Sequence, residues 1–165
     1  METARFASLI AATVTTGLVS GLFYGFAVAV MPGLRGAGDR TVVEVMQRIN
    51  VAILNGWFLA GYLGSLVLTG LALALHLPAD GHDVLPPLIG AFVACVLAMA
   101  VTGRVNIPLN NALEAAGPVD RIADPAAVRR AFEGPWVRAN VWRTLLSTVA
   151  TGLLAWALVL YGQTR

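Results

Sequence analysis

Four apolar stretches, at residues 6–31, 51–76, 85–103 and 137–161, constrain this chain more than any other feature of its sequence. Roughly 20 apolar residues of helix cross a bilayer core of about 30 Å, and each stretch is close to that length or longer. The chain is also 58% hydrophobic and only 12% charged, which is too apolar for an ordinary soluble domain. We therefore predict an all-α integral membrane protein, a bundle of four transmembrane helices.

The connections predict that residues 1–165 form a single domain, because they contain neither an internal repeat nor a low-complexity linker. The spacing of Thr41 and Glu44 is that of a capping box, so the second helix is expected to begin about ten residues before it enters the hydrocarbon. A short acidic loop, residues 77–83, is expected to join spans two and three. Spans two and three should therefore be antiparallel neighbours.

The third connection contains a helix start signal of its own. Asp124 is a good N-cap residue, and Pro125 suits the first position of a helix. Gly134 and Pro135 are typical of a helix end. The sequence thus predicts a short surface helix over residues 125–133, before the last span.

The distribution of arginine predicts the orientation. The face with the first and third connections has eight arginines, whereas the opposite face has only Arg5 and Arg165. By the positive-inside rule, both termini are expected outside. Every basic residue is an arginine, and alanine is abundant in the chain. This composition favours a bacterial source and hence the bacterial inner membrane.

The net charge of +2 is too small for a nucleic-acid-binding protein, so no nucleic-acid partner is expected.

Polar side chains collect at one membrane face. Alternate helices run in opposite directions, so the end of spans one and three and the start of spans two and four lie together. Polar groups within a membrane are costly, and they mark helix packing or a functional cavity. The residues that carry this prediction are Tyr24, Gln47, Asn50, Asn55, Asn106, Asn110, Trp136, Asn140 and Arg143.

Span four presents the sharpest pattern. Trp136, Asn140, Arg143 and Thr144 are spaced as one stripe of a helix. The acidic residues lie near the termini or in connections, so no carboxylate is expected to pair with Arg143. Its guanidinium then either snorkels to the lipid headgroups or serves a ligand in a cavity.

Residues 106–111 form the second polar concentration. Pro108 lacks a backbone donor, so the helix is expected to unwind or kink where span three leaves the membrane. Asn50, Asn106 and Asn110 can donate and accept hydrogen bonds without carrying a charge. They either join helices or contact a ligand directly.

Known catalytic and metal-binding patterns are missing from the sequence. It has no Ser/His/Asp arrangement, no glycine-rich phosphate loop and no pair of cysteines. His76 and His82 lie at the face opposite the polar residues, and Cys95 stands alone in an apolar run. A metal or haem site built from the two histidines is therefore not the expected interpretation, and by default they are residues of the loop or the membrane interface.

Several segments together resemble a known family. These are residues 21–26, 30–34, 46–50, 106–110 and 136–144, which carry the motifs GLFYGF, VMPGL, MQRIN, NIPLN and WVRANVWRT. They resemble the anthrone oxygenase-like membrane family, and the likeness includes all four spans in order. One departure is Val141, where family members often have a histidine beside the asparagine of span four.

The resemblance implies oxidation of an anthrone to an anthraquinone with molecular oxygen, without an organic cofactor or metal. In this hypothesis Arg143, Asn140, Asn106 and Asn50 stabilise the oxyanion of an enolate that can pass an electron to oxygen. The remaining candidates are substrate contacts, with Tyr24 and Trp136 flanking a flat aromatic ligand: Tyr24, Asn55, Asn110, Trp136 and Gln47. The cluster contains no general base, so water or prior ionisation of the substrate has to serve.

A noncatalytic alternative stays open. The same cavity would bind a lipophilic small molecule, or a partner membrane protein, and its polar groups would only fix orientation. A transporter is a third hypothesis, which four spans without a repeat would support only in a homo-oligomer. In all three, the expected partners are the lipid bilayer and a lipophilic molecule.

Overall fold

A computed structural model describes residues 1–77 and 82–163 of the chain. They form five helices, numbered here in chain order: α1 (Glu2–Leu34), α2 (Asp39–Ile53), α3 (Gly56–His76), α4 (Leu85–Ala115) and α5 (Pro125–Gln163). Short 3₁₀ turns at His82–Val84 and Val119–Arg121 lie in the connections. The predicted acidic loop falls mostly on residues 78–81, outside the described residues.

Helices α1, α3, α4 and α5 are long and apolar enough to cross a membrane, which confirms the predicted all-α bundle with four membrane spans. Helix α1 packs against α3 and α5, and α4 packs against the same two helices. The four spans therefore form a ring in which α1 and α4 stand diagonally opposite. Successive spans run in opposite directions, so the ends of α1 and α4 meet the starts of α3 and the membrane part of α5.

The two ends of this bundle are packed differently. The end near the chain termini, the alanine end, buries mainly alanine and leucine side chains: Leu9, Ala12, Ala72, Leu88, Ala91, Ala150, Leu154 and Ala157. The helices approach closely there, since a Cβ atom added to Gly90 would lie 3.0 Å from Leu153 Cδ1. The opposite end, the arginine end, buries larger groups: Phe23, Phe26, Asn106, Trp136, Asn140 and Arg143.

Helices α1 and α4 each contain one π-helical turn, at Phe26–Val30 and Thr102–Asn106. A proline follows each turn, Pro32 in α1 and Pro108 in α4. A proline ring clashes with the carbonyl four residues earlier, and in both helices that carbonyl lies within the wider π turn. The expected unwinding near Pro108 is therefore a π turn, and the third span does not end at residue 103 but continues as helix to Ala115.

The second helix is interrupted, which corrects the prediction of one helix running from Thr41 into span two. Helix α2 begins at Asp39 without a side-chain cap and ends at Ile53. Leu54 is non-helical, and Asn55 then caps α3 by accepting a hydrogen bond from the Phe58 backbone N–H at 3.0 Å. The membrane span starts at Gly56, and α2 is a separate helix that covers the arginine end with Val43 and Met46.

The predicted surface helix is helical, but the predicted break at Gly134 and Pro135 is wrong. Helix α5 runs without interruption through Pro135 for 39 residues, which is about 58 Å of helix. Phe132 and Trp136 pack together across the proline, so one apolar stripe continues through it. The start is capped as predicted, because Asp124 Oδ1 accepts from the Ala127 N–H at 2.9 Å.

Arg129 holds the first turns of α5 against the connection between α1 and α2. Its Nη1 donates to the Ala37 carbonyl at 2.9 Å and to Asp39 Oδ1 at 3.0 Å, and its Nε donates to Glu133 Oε2 at 2.5 Å. A guanidinium with several donors in a fixed plane suits such a junction. This junction fixes the part of α5 that precedes the membrane span.

Candidate functional site

Arg143 is buried at the arginine end, with 8% of its surface exposed. Its guanidinium carbon lies 4.2 Å from the centre of the Phe23 ring and 5.1 Å from the Trp136 ring. Among the described residues, no carboxylate pairs with it, and its Nη1 and Nη2 atoms make no hydrogen bond. Cation–π contacts compensate part of the cost of burying this charge, at about 2 kcal/mol each when desolvated. The terminal nitrogens are left for another acceptor.

Asn140 positions that arginine. Its Oδ1 accepts from Arg143 Nε at 3.1 Å, and its Nδ2 donates to the Phe23 carbonyl at 3.0 Å. Because the Phe23 carbonyl lies just before the π turn of α1, the amide joins α5 to the altered part of α1. Both ends of the amide are engaged, so Asn140 is a positioning residue.

The predicted stripe on span four is confirmed as one buried face. Trp136, Asn140, Arg143 and Thr144 are all buried, as is Ser147 on the next turn. The Thr144 and Ser147 hydroxyls donate to carbonyls of their own helix, each at 2.7 Å. The guanidinium of this stripe keeps two nitrogens, Nη1 and Nη2, without an acceptor among the described residues.

Asn106 is the most isolated polar side chain of the site. It ends the π turn of α4 and is 0% exposed, yet neither Oδ1 nor Nδ2 has a hydrogen-bond partner among the described residues. The Nδ2 of Asn50 is also buried without a partner. Each such group costs about 1–3 kcal/mol in a folded protein. A bound polar ligand or water would remove that cost.

Tyr62 was missed in the sequence analysis, although it belongs to the same site. Its hydroxyl is buried and has no partner with hydrogen-bond geometry among the described residues, and its ring contacts Phe23, the ring on which the Arg143 guanidinium lies. The Thr102 hydroxyl is beside it but donates to the Ala98 carbonyl at 3.0 Å. No spacing in the sequence indicated this position, because the polar residue two helix turns before it, Asn55, is the exposed cap of α3.

Rings connect this site to the bundle surface. Phe58 stacks on Tyr62 with 5.4 Å between ring centres, and Tyr62 meets Phe23 edge to face at 6.3 Å. Phe58 also lines an apolar groove of about 350 Å³ between α1 and α3, together with Trp57 and Gly61. Phe58 therefore lies at the groove, and successive contacts lead from it through Tyr62 and Phe23 to the Arg143 guanidinium.

Several predicted site residues lie elsewhere or have structural roles. Tyr24 is 58% exposed on the outer surface, so it does not flank a ligand beside Arg143. Asn55 is the cap of α3, and its Nδ2 donates to the Ala52 carbonyl at 2.8 Å. Gln47 Nε2 joins α2 to the end of α4 by donating to the Leu113 and Gly117 carbonyls at 2.9 and 3.0 Å.

Trp136 and Asn110 are brought together, because the indole N–H donates to Asn110 Oδ1 at 2.9 Å. The Trp136 ring also packs against Phe26 and Phe132, so it is a wall of the arginine site with no face left for a substrate. Asn50 and Asn110 line a separate groove of about 290 Å³ between α2 and α4. The predicted asparagines therefore divide between the buried site and this groove.

The residues that could hold a metal do not converge. In residues 1–77 and 82–163, no three His, Cys, Asp or Glu side chains are grouped as metal ligands. His76 lies at the alanine end, where its Nδ1 is 2.7 Å from the Ala72 carbonyl, and the side chain of His82 is outside the described atoms. Cys95 is buried there as an apolar side chain.

Comparison with known proteins adds one finding. No curated protein and no solved structure matches the sequence significantly. The family model described as anthrone oxygenase matches residues 57–153, which is more than half of the chain. The matched segment includes Tyr62, Asn106, Asn140 and Arg143. The chain therefore belongs to the anthrone oxygenase family.

Proposed function

We propose that the protein is a membrane-embedded oxygenase that oxidises a lipophilic polycyclic aromatic ketone or phenol of the anthrone type with molecular oxygen. The observation that carries this proposal is Arg143, a buried guanidinium whose terminal nitrogens have neither a carboxylate nor another hydrogen-bond partner among the described residues. Such a group is suited to an anionic oxygen in a water-poor site. The family description supports the same reaction class.

The chemistry needs little from the protein beyond stabilisation of an anion. Loss of a proton from the ring methylene gives an enolate, which passes one electron to oxygen. The resulting radical and superoxide combine into a carbon-bound peroxide, and the second methylene proton leaves as the O–O bond breaks. The products are a new carbonyl, an anthraquinone, and one water per oxygen consumed. Arg143 favours the first step by stabilising the enolate oxygen, and Asn140 holds Arg143 in place.

Access to the site is proposed to come from the bilayer. A flat ring system of this kind partitions into lipid, and the groove between α1 and α3, at about 350 Å³, is within the usual size of small-molecule sites. The groove wall Phe58 stacks on Tyr62, so a rotation of these two rings would admit a ligand to Arg143. The Asn106 amide, which has no partner among the described residues, would then form a hydrogen bond with a second polar atom of the ligand.

The cellular setting is part of the same proposal. A bacterial inner membrane with both termini outside would place the arginine end at the cytoplasmic face, by the positive-inside rule. Only 17% of the most apolar window of α3 is buried within the bundle, so this helix has surface for lipid or for a second copy in a homo-oligomer.

A noncatalytic binding protein is the second candidate. It is favoured by the surroundings of Arg143, where no carboxylate or histidine among the described residues is in place to accept a proton. The departure at Val141 adds little to this alternative. Val141 is 43% exposed on the outer surface, so a histidine there would point away from the arginine site.

Oxygen uptake distinguishes the two candidates. Purified protein in detergent or nanodiscs is mixed with a hydroxylated anthrone, and uptake is compared with the spontaneous rate in protein-free nanodiscs. The oxygenase predicts uptake well above that rate, with one anthraquinone formed per oxygen consumed. Saturable anthrone binding with no uptake above the spontaneous rate would favour the binding protein instead.

A further inference from the structure

Three polar groups at the arginine end, each on a different helix, have no hydrogen-bond partner among the described residues. They are the Tyr62 hydroxyl on α3, the Asn106 amide on α4 and the Arg143 guanidinium tip on α5. Helix α1, the first span, contributes the Phe23 ring, which contacts both Tyr62 and Arg143. A buried hydroxyl without an acceptor costs free energy, so its retention in the folded protein calls for a ligand that uses it.

We infer that Tyr62 is a second donor to the anionic oxygen of the substrate, with its hydroxyl beside the Arg143 guanidinium. This inference rests on the oxygenase proposed above. An ordinary tyrosine has a pKa of about 10 and is a phenol at neutral pH, so it serves as a donor and not as the missing base. A hydrogen bond to a charged acceptor contributes more than one between neutral groups.

The neighbours of Tyr62 favour this role over a bond within the protein. The Thr102 hydroxyl donates to the Ala98 carbonyl at 3.0 Å, and no hydrogen bond of good geometry joins it to the Tyr62 hydroxyl. Phe58 and Phe23 cover the ring of Tyr62 and fix its plane. Packing alone therefore holds the Tyr62 ring on the same Phe23 side chain that the guanidinium covers, and among the described residues its hydroxyl has no hydrogen-bond partner.

The role of Tyr62 can be tested without turnover. The probe is 2-hydroxyanthraquinone, which resembles the product, is inert to oxygen and changes colour when its phenol ionises. Its pH titration is recorded free in nanodiscs and bound to wild type, Tyr62→Phe, Arg143→Gln and Tyr24→Phe. Tyr24→Phe is the control, because it removes the same hydroxyl oxygen from an exposed tyrosine of α1.

We expect wild type to favour the ionised probe, and Tyr62→Phe to reduce that preference by about 10- to 100-fold. Tyr62→Phe should bind the neutral probe with the same affinity as wild type. The probe bound to Tyr24→Phe should titrate as it does when bound to wild type. If Tyr62→Phe titrates like wild type while Arg143→Gln does not, Tyr62 is no donor and the proposed oxygenase stands. If wild type neither binds nor ionises the probe, the proposed oxygenase and the role of Tyr62 are both contradicted.

Thermal unfolding of the ligand-free protein separates this role from a structural one. Removing an unpaired buried hydroxyl should leave the unfolding midpoint of Tyr62→Phe equal to or above that of wild type. A clear fall in the midpoint would show that the hydroxyl has a partner in the folded protein, and would overturn the inference.

Discussion

The alanine end and the arginine end belong to the same four spans but differ in how closely the helices pack and in which polar groups they bury. At the alanine end, helices approach closely and the Thr69 hydroxyl donates to the Ser65 carbonyl at 2.6 Å, although Thr16 Oγ1 and His76 Nε2 have no partner among the described residues. At the arginine end, two π turns widen α1 and α4, the Tyr62 hydroxyl and the Asn106 amide are buried without partners among the described residues, and the charge of Arg143 is buried beside no carboxylate. Close packing stabilises the alanine end, whereas a buried charge and several unpartnered groups cost stability at the arginine end.

This difference indicates where function lies. A protein keeps costly features at sites that act on a ligand and compensates for them elsewhere. A π turn next to a buried charge is such a feature, because π turns are often found at functional sites. Substitutions at the alanine end should therefore lower stability, whereas those at the arginine end should lower activity with stability retained.

Ala150→Leu should have the largest effect. Ala150 is 0% exposed between the closely packed spans, so three added carbons force the helices apart at a cost of about 1–3 kcal/mol or more. We expect a lower unfolding midpoint and loss of both anthrone binding and oxygen uptake. Ala155→Leu makes the same change at an exposed position of α5 and should behave like wild type. Equal stability of the two variants would contradict close packing at this end.

Asn106→Leu should change stability and activity in opposite directions. It replaces an unpaired amide by an apolar group of similar size, so the unfolding midpoint should rise, while oxygen uptake should fall about tenfold or more as a ligand contact is lost. Asn111→Leu, at an exposed position of the same helix, is the control. If Asn106→Leu is instead less stable with normal turnover, the amide is a structural group.

Gly61→Phe should have the smallest effect, confined to substrate access. A Cβ atom at Gly61 meets no atom within 4 Å, so a phenylalanine fits and fills part of the groove between α1 and α3. The KM for anthrone should rise about tenfold, equivalent to about 1.4 kcal/mol, with kcat nearly unchanged. Gly152→Phe, in similarly open space on α5, should change neither constant. An unchanged KM in Gly61→Phe would rule out this groove as the access route.

Local sequence patterns predicted the features that depend on local physics. Span lengths follow from hydropathy, and the buried stripe of α5 follows from helical spacing, so Trp136, Asn140 and Arg143 were placed together correctly. The Asp124 cap was also predicted, because it needs only its own first turn.

Features that depend on tertiary packing were not predictable in this way. Tyr24 and Tyr62 both lie in apolar helices, yet Tyr24 is exposed and the Tyr62 hydroxyl is buried, because only helix packing decides which side faces inward. Pro135 looked like a helix end, but packing of Phe132 on Trp136 carries α5 through it. Asn55 looked like a ligand contact, and its chemistry serves the helix cap equally well.

The central claim is that Arg143 stabilises an anion during oxidation, and a pair of arginine variants tests it most directly. Oxygen uptake with a hydroxylated anthrone is measured for Arg143→Gln and for Arg138→Gln, an exposed arginine on the same helix. Our account predicts that Arg143→Gln remains folded and loses about 100-fold or more of the catalysed rate, whereas Arg138→Gln keeps it. A folded Arg143→Gln protein with the wild-type rate would contradict the claim.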